Sequence, residues 1–242
     1  MKQDTGLNIH DLSVGYKFPI LENINLRLLP GNIACLIGEN GSGKTTFLNT
    51  IAGLIKPKNG KIRLGEKNVT DLSVSHRSKL ISYVSSKIDA FVQLSVYDIV
   101  AMGRSPYTNI FDLKSEEDKE IIEKALEDFN LKRLTCKKLF EISDGERQRC
   151  MIARAFVQQT PLILLDEPAA FLDYHNRKKL IEDLVKLTEF EKKMIIFSSH
   201  DIDLVSKKIQ LFWICNREFS TIYEYDLSKE KENKSIFEII GS

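Results

Sequence analysis

Apolar and polar positions change rhythm several times along this chain. Between Ile24 and Leu28 they alternate, with Ile24, Leu26 and Leu28 on one face and Asn25 and Arg27 on the other, the period-two pattern of a strand with one wetted face. Leu7 to Val14 carries a strand-like run ahead of it, and Pro30-Gly31 marks a turn. Asn32 to Ile37, Pro161 to Leu165 and Met194 to Ser199 are short apolar runs without alternation, which predicts strands covered on both faces; Leu211 to Cys215 is a candidate fourth. Helical spacing takes over elsewhere. Thr46 to Leu54 predicts one helix. Ser115 to Phe129 predicts an acidic amphipathic one, with Ile121, Ile122, Ala125, Leu126 and Phe129 in phase, Ser115 placed to cap it and Asp118 three residues on. Glu146 to Gln158 predicts a third, showing Met151, Ile152, Ala155 and Phe156 on one side. Short buried strands separated by helices predict an α/β core with a mainly parallel sheet. The economical division is one domain, with residues 1–86 and 156–242 forming the core and 87–155 inserted as a helical subdomain. The charged run from Ser228 to Lys234 reads as a solvated tail segment.

Composition removes several function classes. Lys plus Arg number 35 against 34 for Asp plus Glu, a net charge of +1, so there is no global field to attract nucleic acid or anionic lipid. The 43% hydrophobic and 29% charged fractions are those of a folded globular chain. Cys35, Cys136, Cys150 and Cys215 form no CxxC pair, so free thiols are expected rather than a zinc site. Met1 to Asn8 has no secretory pattern, and no apolar stretch approaches the roughly 18 residues of a membrane span. A cytoplasmic protein is expected, unless a partner holds it at a membrane.

The chemistry starts at Gly38-Glu39-Asn40-Gly41-Ser42-Gly43-Lys44-Thr45, a GxxxxGK[ST] pattern between a predicted strand and a predicted helix. Glycines let successive backbone N–H groups turn inward on phosphate oxygens; Lys44 adds a charge at the β and γ phosphates, and the Thr45 hydroxyl suits Mg²⁺. The following helix N-terminus favours anions. Leu162 to Leu165 then ends in Asp166-Glu167. By itself an acidic pair after a strand is an ordinary solvated turn. Beside a phosphate loop, Asp166 suits Mg²⁺ and Glu167 is placed to polarise an attacking water. Ser198-Ser199-His200-Asp201 ends a third strand, which could bring His200 to the same rim. Ser143 to Arg149 reads as a capped helix start, with Ser143 or Asp144 as N-cap, and such a start is also an anion site.

Together these motifs, in this order, resemble an ABC-type ATPase subunit from about Leu7 to Cys215. The phosphate loop comes first, then the signature-like Ile142-Ser143-Asp144-Gly145-Glu146, the Leu162–Glu167 strand and acids, Ala170-Phe171-Leu172-Asp173, and His200. The resemblance implies a P-loop core with an N-terminal antiparallel β subdomain and an inserted helical subdomain. It implies two chains packed head to tail, each ATP held between Asn40, Gly41, Ser42, Gly43, Lys44, Thr45 and Thr46 of one chain and Ser143 and Gly145 of the other. Asp173 would lie at the seam, Tyr16 would stack on adenine, and Thr45, Asp166 and Ser86 would hold Mg²⁺. Glu167, His200 (as γ-phosphate sensor) and Lys44 are the implied catalytic residues.

Val96 to Tyr107, reading VYDIVAMGRSPY, is similar to the segment found in ATPases of iron–siderophore, haem and cobalamin importers. The implied role is the motor of such an importer: peripheral on the cytoplasmic face of the inner (plasma) membrane, contacting an integral permease through about residues 86–112, alongside a ligand-binding protein and no nucleic acid. A soluble, non-transport ABC ATPase, for example in cluster assembly, is the alternative; a degenerate binding subunit is a third reading. Two positions depart from the family pattern. Ser86 stands where glutamine is usual, with Gln93 the other candidate for that contact. Asp144 replaces the first signature glycine, which would bring repulsion near phosphate unless its carboxylate points away.

Overall fold

The computed structural model describes residues 5–86, 93–108, 113–170 and 172–229. Two sheets form its framework. β1 (Leu7–Gly15), β2 (Pro19–Leu28), β4 (Asn59–Leu64) and β5 (Lys67–Asn68) make a four-stranded antiparallel sheet in the order β2-β1-β4-β5. The second sheet runs β10-β9-β3-β8-β7-β6, built from β3 (Ile33–Ile37), β6 (Ile81–Val84), β7 (Leu162–Leu165), β8 (Met194–Ser198), β9 (Leu211–Asn216) and β10 (Thr221–Asp226). All its pairings are parallel except the edge pair β9/β10. Glu22 N–H donates to the Ser220 carbonyl at 2.7 Å, joining the two sheets at their margins. The helices are α1 (Lys44–Ile51), α2 (Val74–Ser78), α3 (Val96–Ala101), α4 (Glu116–Asp128), α5 (Asp144–Val157), α6 (Tyr174–Glu191) and α7 (Ile202–Val205). Among the described residues no helix is long and apolar enough to cross a membrane.

The apolar alternation of β2 is realised as buried Ile24, Leu26 and Leu28. They belong to a core that also takes Phe47, Leu48 and Ile51 of α1 and Trp213 of β9, filling the space between the sheets. The opposite face of the large sheet packs on α5, α6 and α7. The unalternating strands are therefore covered on both sides, as their composition requires. α5 is buried on two flanks: Ile152 and Ala155 face the sheet, while Cys150, Ala153 and Val157 join α3 and α4 in a separate helical cluster. The sequence pattern exposed only the first flank. α1 starts two residues earlier than predicted, directly on Gly43, and ends where Gly53 takes φ +70.

One buried ion pair ties the helical cluster together. Arg104 Nε donates to Asp118 Oδ1 at 2.6 Å, and its Nη1 reaches the Val157 carbonyl (2.8 Å) and Gln159 Oε1 (2.9 Å). Asp118 Oδ2 accepts both the N–H and the hydroxyl of Ser115 at 2.9 Å, so one carboxylate caps α4 and anchors Arg104. Burial pushes the Asp118 carboxyl up, but the Ser115 bonds and Arg104 outweigh it and hold the group below its ordinary range. Removing one partner of a buried pair leaves the other charge unmatched, so Arg104→Ala should destabilise the fold by about 3–5 kcal/mol in thermal or denaturant unfolding. For a depressed carboxyl, the contribution is complete above the unfolded pKa of about 3.9 and is lost as pH falls through the lower folded value. Unfolding midpoints taken down that acid limb should therefore drop faster in the unaltered chain than in Asp118→Asn.

Candidate functional site

Four parallel strands deliver their carboxyl ends to one rim, the place where open α/β sheets bind ligands. The phosphate loop follows β3, Ser86 follows β6, Asp166-Glu167 follow β7, and Ser199-His200 follow β8. In the loop, Gly38 (φ +151) admits no side chain, since a Cβ would fall 2.5 Å from the Cys215 carbonyl oxygen; at Gly43 (φ +105) it would meet Leu21 at 2.9 Å. Lys44 is buried and folds back over this loop, its Nζ donating to the carbonyls of Gly38 and Glu39, both at 2.8 Å. Burial lowers the Lys44 pKa, against the opposing pull of Cys215, Glu167 and Asp166. The first hydrogen bond of α1 runs from Phe47 N–H to the Gly43 carbonyl at 2.8 Å, which leaves the N–H groups of Lys44, Thr45 and Thr46 without intrahelical acceptors and turned toward an anion. Ser42 Oγ is buried without a hydrogen-bond partner, an orphan that a bound phosphate would satisfy.

Asp166 is 1% exposed, yet its carboxylate is fully engaged. Oδ2 accepts from Thr45 Oγ at 2.8 Å and from Ser86 Oγ at 3.3 Å, and Oδ1 accepts from Ser198 Oγ at 2.8 Å. This cluster of hard oxygen donors, one of them a buried carboxylate, is the type that suits Mg²⁺. Glu167 sits at φ +50, a left-handed backbone that costs a non-glycine residue on the order of 1–3 kcal/mol and that concentrates at functional sites. Its N–H donates to Ser198 Oγ at 2.8 Å, and its Oε1 lies 2.8 Å from His200 Nε2. Tyr83, not singled out from sequence, stands close by: burial first, and the Asp166 charge second, push its hydroxyl up to about 12, with a bond to Ser85 opposing.

The structure thus brings together Lys44, Thr45, Ser86, Asp166, Glu167 and His200. Asn40 and Gly41 are exposed on the loop, while the Thr46 side chain is buried beneath it. Tyr16 stands at the β1–β2 hairpin, 63% exposed and open to a stacking partner. Ser143 and Gly145 belong to another element, the N-terminus of α5, where Ser143 exchanges hydrogen bonds with Glu146 in a capping box. The Asp144 carboxylate turns onto Arg147 in the next turn, an arrangement that counters its charge. Gln93 is held by Lys138 Nζ at 3.2 Å, in the helical cluster rather than at the metal position, so it does not stand in for Ser86. Asp173 caps α6 through Asn176, and Arg177 links the Leu172 carbonyl (2.7 Å) to Asp201 (3.3 Å), coupling the segment after the acids to the one after His200. Phe171 and residues 87–92 and 109–112 of the expected permease contact lie outside the described residues. Within that contact Arg104 is committed to the fold, whereas Met102 (46%) and Tyr107 (39%) are exposed.

Beside Glu167 and His200 there is a space of only about 130 Å³, whereas a cavity of about 430 Å³ between α4, α5 and α6 lies away from these residues.

Comparison with known proteins identifies the family. The family described as ABC transporter matches residues 21–170. An uncharacterized ABC transporter ATP-binding protein of Methanocaldococcus jannaschii is 41% identical over 199 residues, covering 82% of this chain and 69% of that protein. A probable siderophore transport system ATP-binding protein of Bacillus subtilis is 33% identical over 204 residues (84% and 74%). A petrobactin import ATP-binding protein of Bacillus anthracis is 31% identical over 188 residues (78% and 69%). Among solved structures, a dimeric ATP-binding cassette in a post-hydrolysis state with ADP and Pi superposes with a TM-score of 0.80 at 26% identity, over 91% of this chain and 98% of that one.

Proposed function

Since the chain belongs to the ABC transporter family and is an ATPase of it, we propose that it is the ATP-hydrolysing motor of a membrane importer for a metal-chelate ligand of the iron–siderophore, haem or cobalamin kind. The observation that carries the chemical part is the meeting of Thr45, Ser86 and Asp166 at one carboxylate, beside the Glu167–His200 pair. The importer part is supported by the named siderophore and petrobactin relatives and by the Val96–Tyr107 segment.

In this reading the phosphate loop binds the β and γ phosphates, and Lys44 exchanges its two carbonyl partners for phosphate oxygens. Thr45, Asp166 and Ser86 are the residues that would hold Mg²⁺, their oxygens already gathered at the Asp166 carboxylate. At that place Mg²⁺ would neutralise charge developing on the phosphate oxygens. Glu167 accepts a proton from the attacking water, and His200, hydrogen-bonded to it, contacts the γ phosphate. Tyr16 stacks on adenine. Ser143 and Gly145 of a second copy close the half-site, with Asp173 at the seam. Closure and reopening of that pair move a permease held near residues 86–112 at the cytoplasmic face of the membrane. A helical subdomain at about 87–155 is the natural carrier of this motion.

Affinity purification of the tagged chain from membranes of its native host in mild detergent separates the readings. A polytopic permease in stoichiometric yield is the expected result. Recovery solely from the soluble fraction, with cytosolic partners, would instead establish a non-transport ABC ATPase.

A further inference from the structure

Ser198 is the last residue of β8 and is 1% exposed. Strand register sets Leu165 beside Phe197, so Ser198 lies next to the turn where β7 gives way to the acids. Its hydroxyl engages both of them: Oγ donates to Asp166 Oδ1 at 2.8 Å and accepts the Glu167 N–H at 2.8 Å. A hydroxyl suits this position because it combines one donor with lone pairs that accept. Alanine and valine can do neither.

The two bonds have separate consequences. With Oδ1 taken by Ser198, it is Oδ2 that meets Thr45 and Ser86, so the carboxylate's rotation is set before any cation arrives. The bond to the Glu167 N–H holds a residue at φ +50, and that backbone pose is the one that brings Oε1 to His200.

We propose that Ser198 is the positioning residue of the acid pair, using a single hydroxyl to fix which oxygen of Asp166 meets the cation and the backbone pose from which Glu167 addresses water. The inference rests on the metal and base roles given above to Asp166 and Glu167. Supporting groups around metal ligands typically change metal affinity or activity by about 10–100-fold when removed.

The test uses the full chain with Ser198→Ala, Ser198→Thr and Asp166→Asn. Three quantities are measured: ATP affinity in EDTA, the Mg²⁺ concentration for half-maximal phosphate release, and kcat. Ser198→Ala should keep ATP affinity in EDTA within about twofold while raising the half-saturating Mg²⁺ and lowering kcat by about 10-fold or more each. Ser198→Thr, which keeps the hydroxyl, should stay within about threefold of the unaltered chain. A merely structural serine would alter the melting temperature and leave the Mg²⁺ requirement where it was. The proposal is overturned if Ser198→Ala shows unaltered kcat and Mg²⁺ requirement, or if Ser198→Thr melts normally yet is as impaired as Ser198→Ala. Should Ser198→Ala not fold, Ser198→Cys carries the same expectation, because a thiol fills the space but hydrogen-bonds weakly. If Asp166→Asn itself turns over normally, the failure belongs to the reading of the acids and not to Ser198.

Discussion

Glu167→Gln is expected to bind ATP within about twofold of the unaltered chain and to release phosphate at least about 100-fold more slowly, the lower end of what a positioned general base contributes. The substitution is nearly isosteric. Its amide keeps an oxygen within reach of His200, where Glu167 Oε1 now stands 2.8 Å from Nε2. The Glu167 N–H bond to Ser198 and the left-handed backbone at this position do not depend on side-chain charge, so the turn should persist while the basic carboxylate is gone. Equilibrium ATP binding and phosphate release measured on one preparation check both halves of the expectation. Turnover near the unaltered rate would remove Glu167 from the base role.

Lys44→Ala should act at the earlier step. The Nζ is held between the Gly38 and Glu39 carbonyls at 2.8 Å, so the cradle already carries its cation at the place where the loop faces phosphate. Losing charge-assisted bonds worth about 1.5–3 kcal/mol should weaken ATP binding by about 10–100-fold. The fold should tolerate the change better than the function does, because the loop's backbone shape is set by Gly38 and Gly43 and by their neighbours Cys215 and Leu21. Titration with a fluorescent ATP analogue, beside a melting curve, distinguishes the two effects. A melting temperature that collapses together with affinity would mean that Lys44 serves mainly to hold the loop.

The contrast between these residues and Ser198 marks how far sequence reading reaches. Lys44, Thr45, Asp166 and Glu167 were legible because their chemistry is written in local order: glycines, then a cation and a hydroxyl after one apolar run, and two acids after another. β3, β7 and β8 were legible because a strand buried on both faces leaves an unbroken apolar run. β4 was missed for the opposite reason. Only Ile62 and Leu64 of its six residues are buried, Lys61 and Arg63 face water, and Gly60 interrupts it with φ +85. β10 shows a single buried residue, Ile222, and gains its place at the sheet edge by pairing with β9. Arg104 looked like part of a recognition segment, and its ion pair with Asp118 depends on α4 packing across from it. Periodicity reads one element at a time, so a side chain whose partner comes from another element is invisible to it. Ser198 is such a case, as its two bonds cross from β8 to the end of β7.

In the proposed mechanism a second copy completes the nucleotide site through Ser143 and Gly145. Light scattering on Glu167→Gln, with and without MgATP, tests this pairing. A particle of about twice the 27.7 kDa chain mass is expected when ATP is present and the single mass when it is absent, with Lys44→Ala remaining single in both. A variant that binds ATP with normal affinity yet stays at the mass of one chain would contradict it.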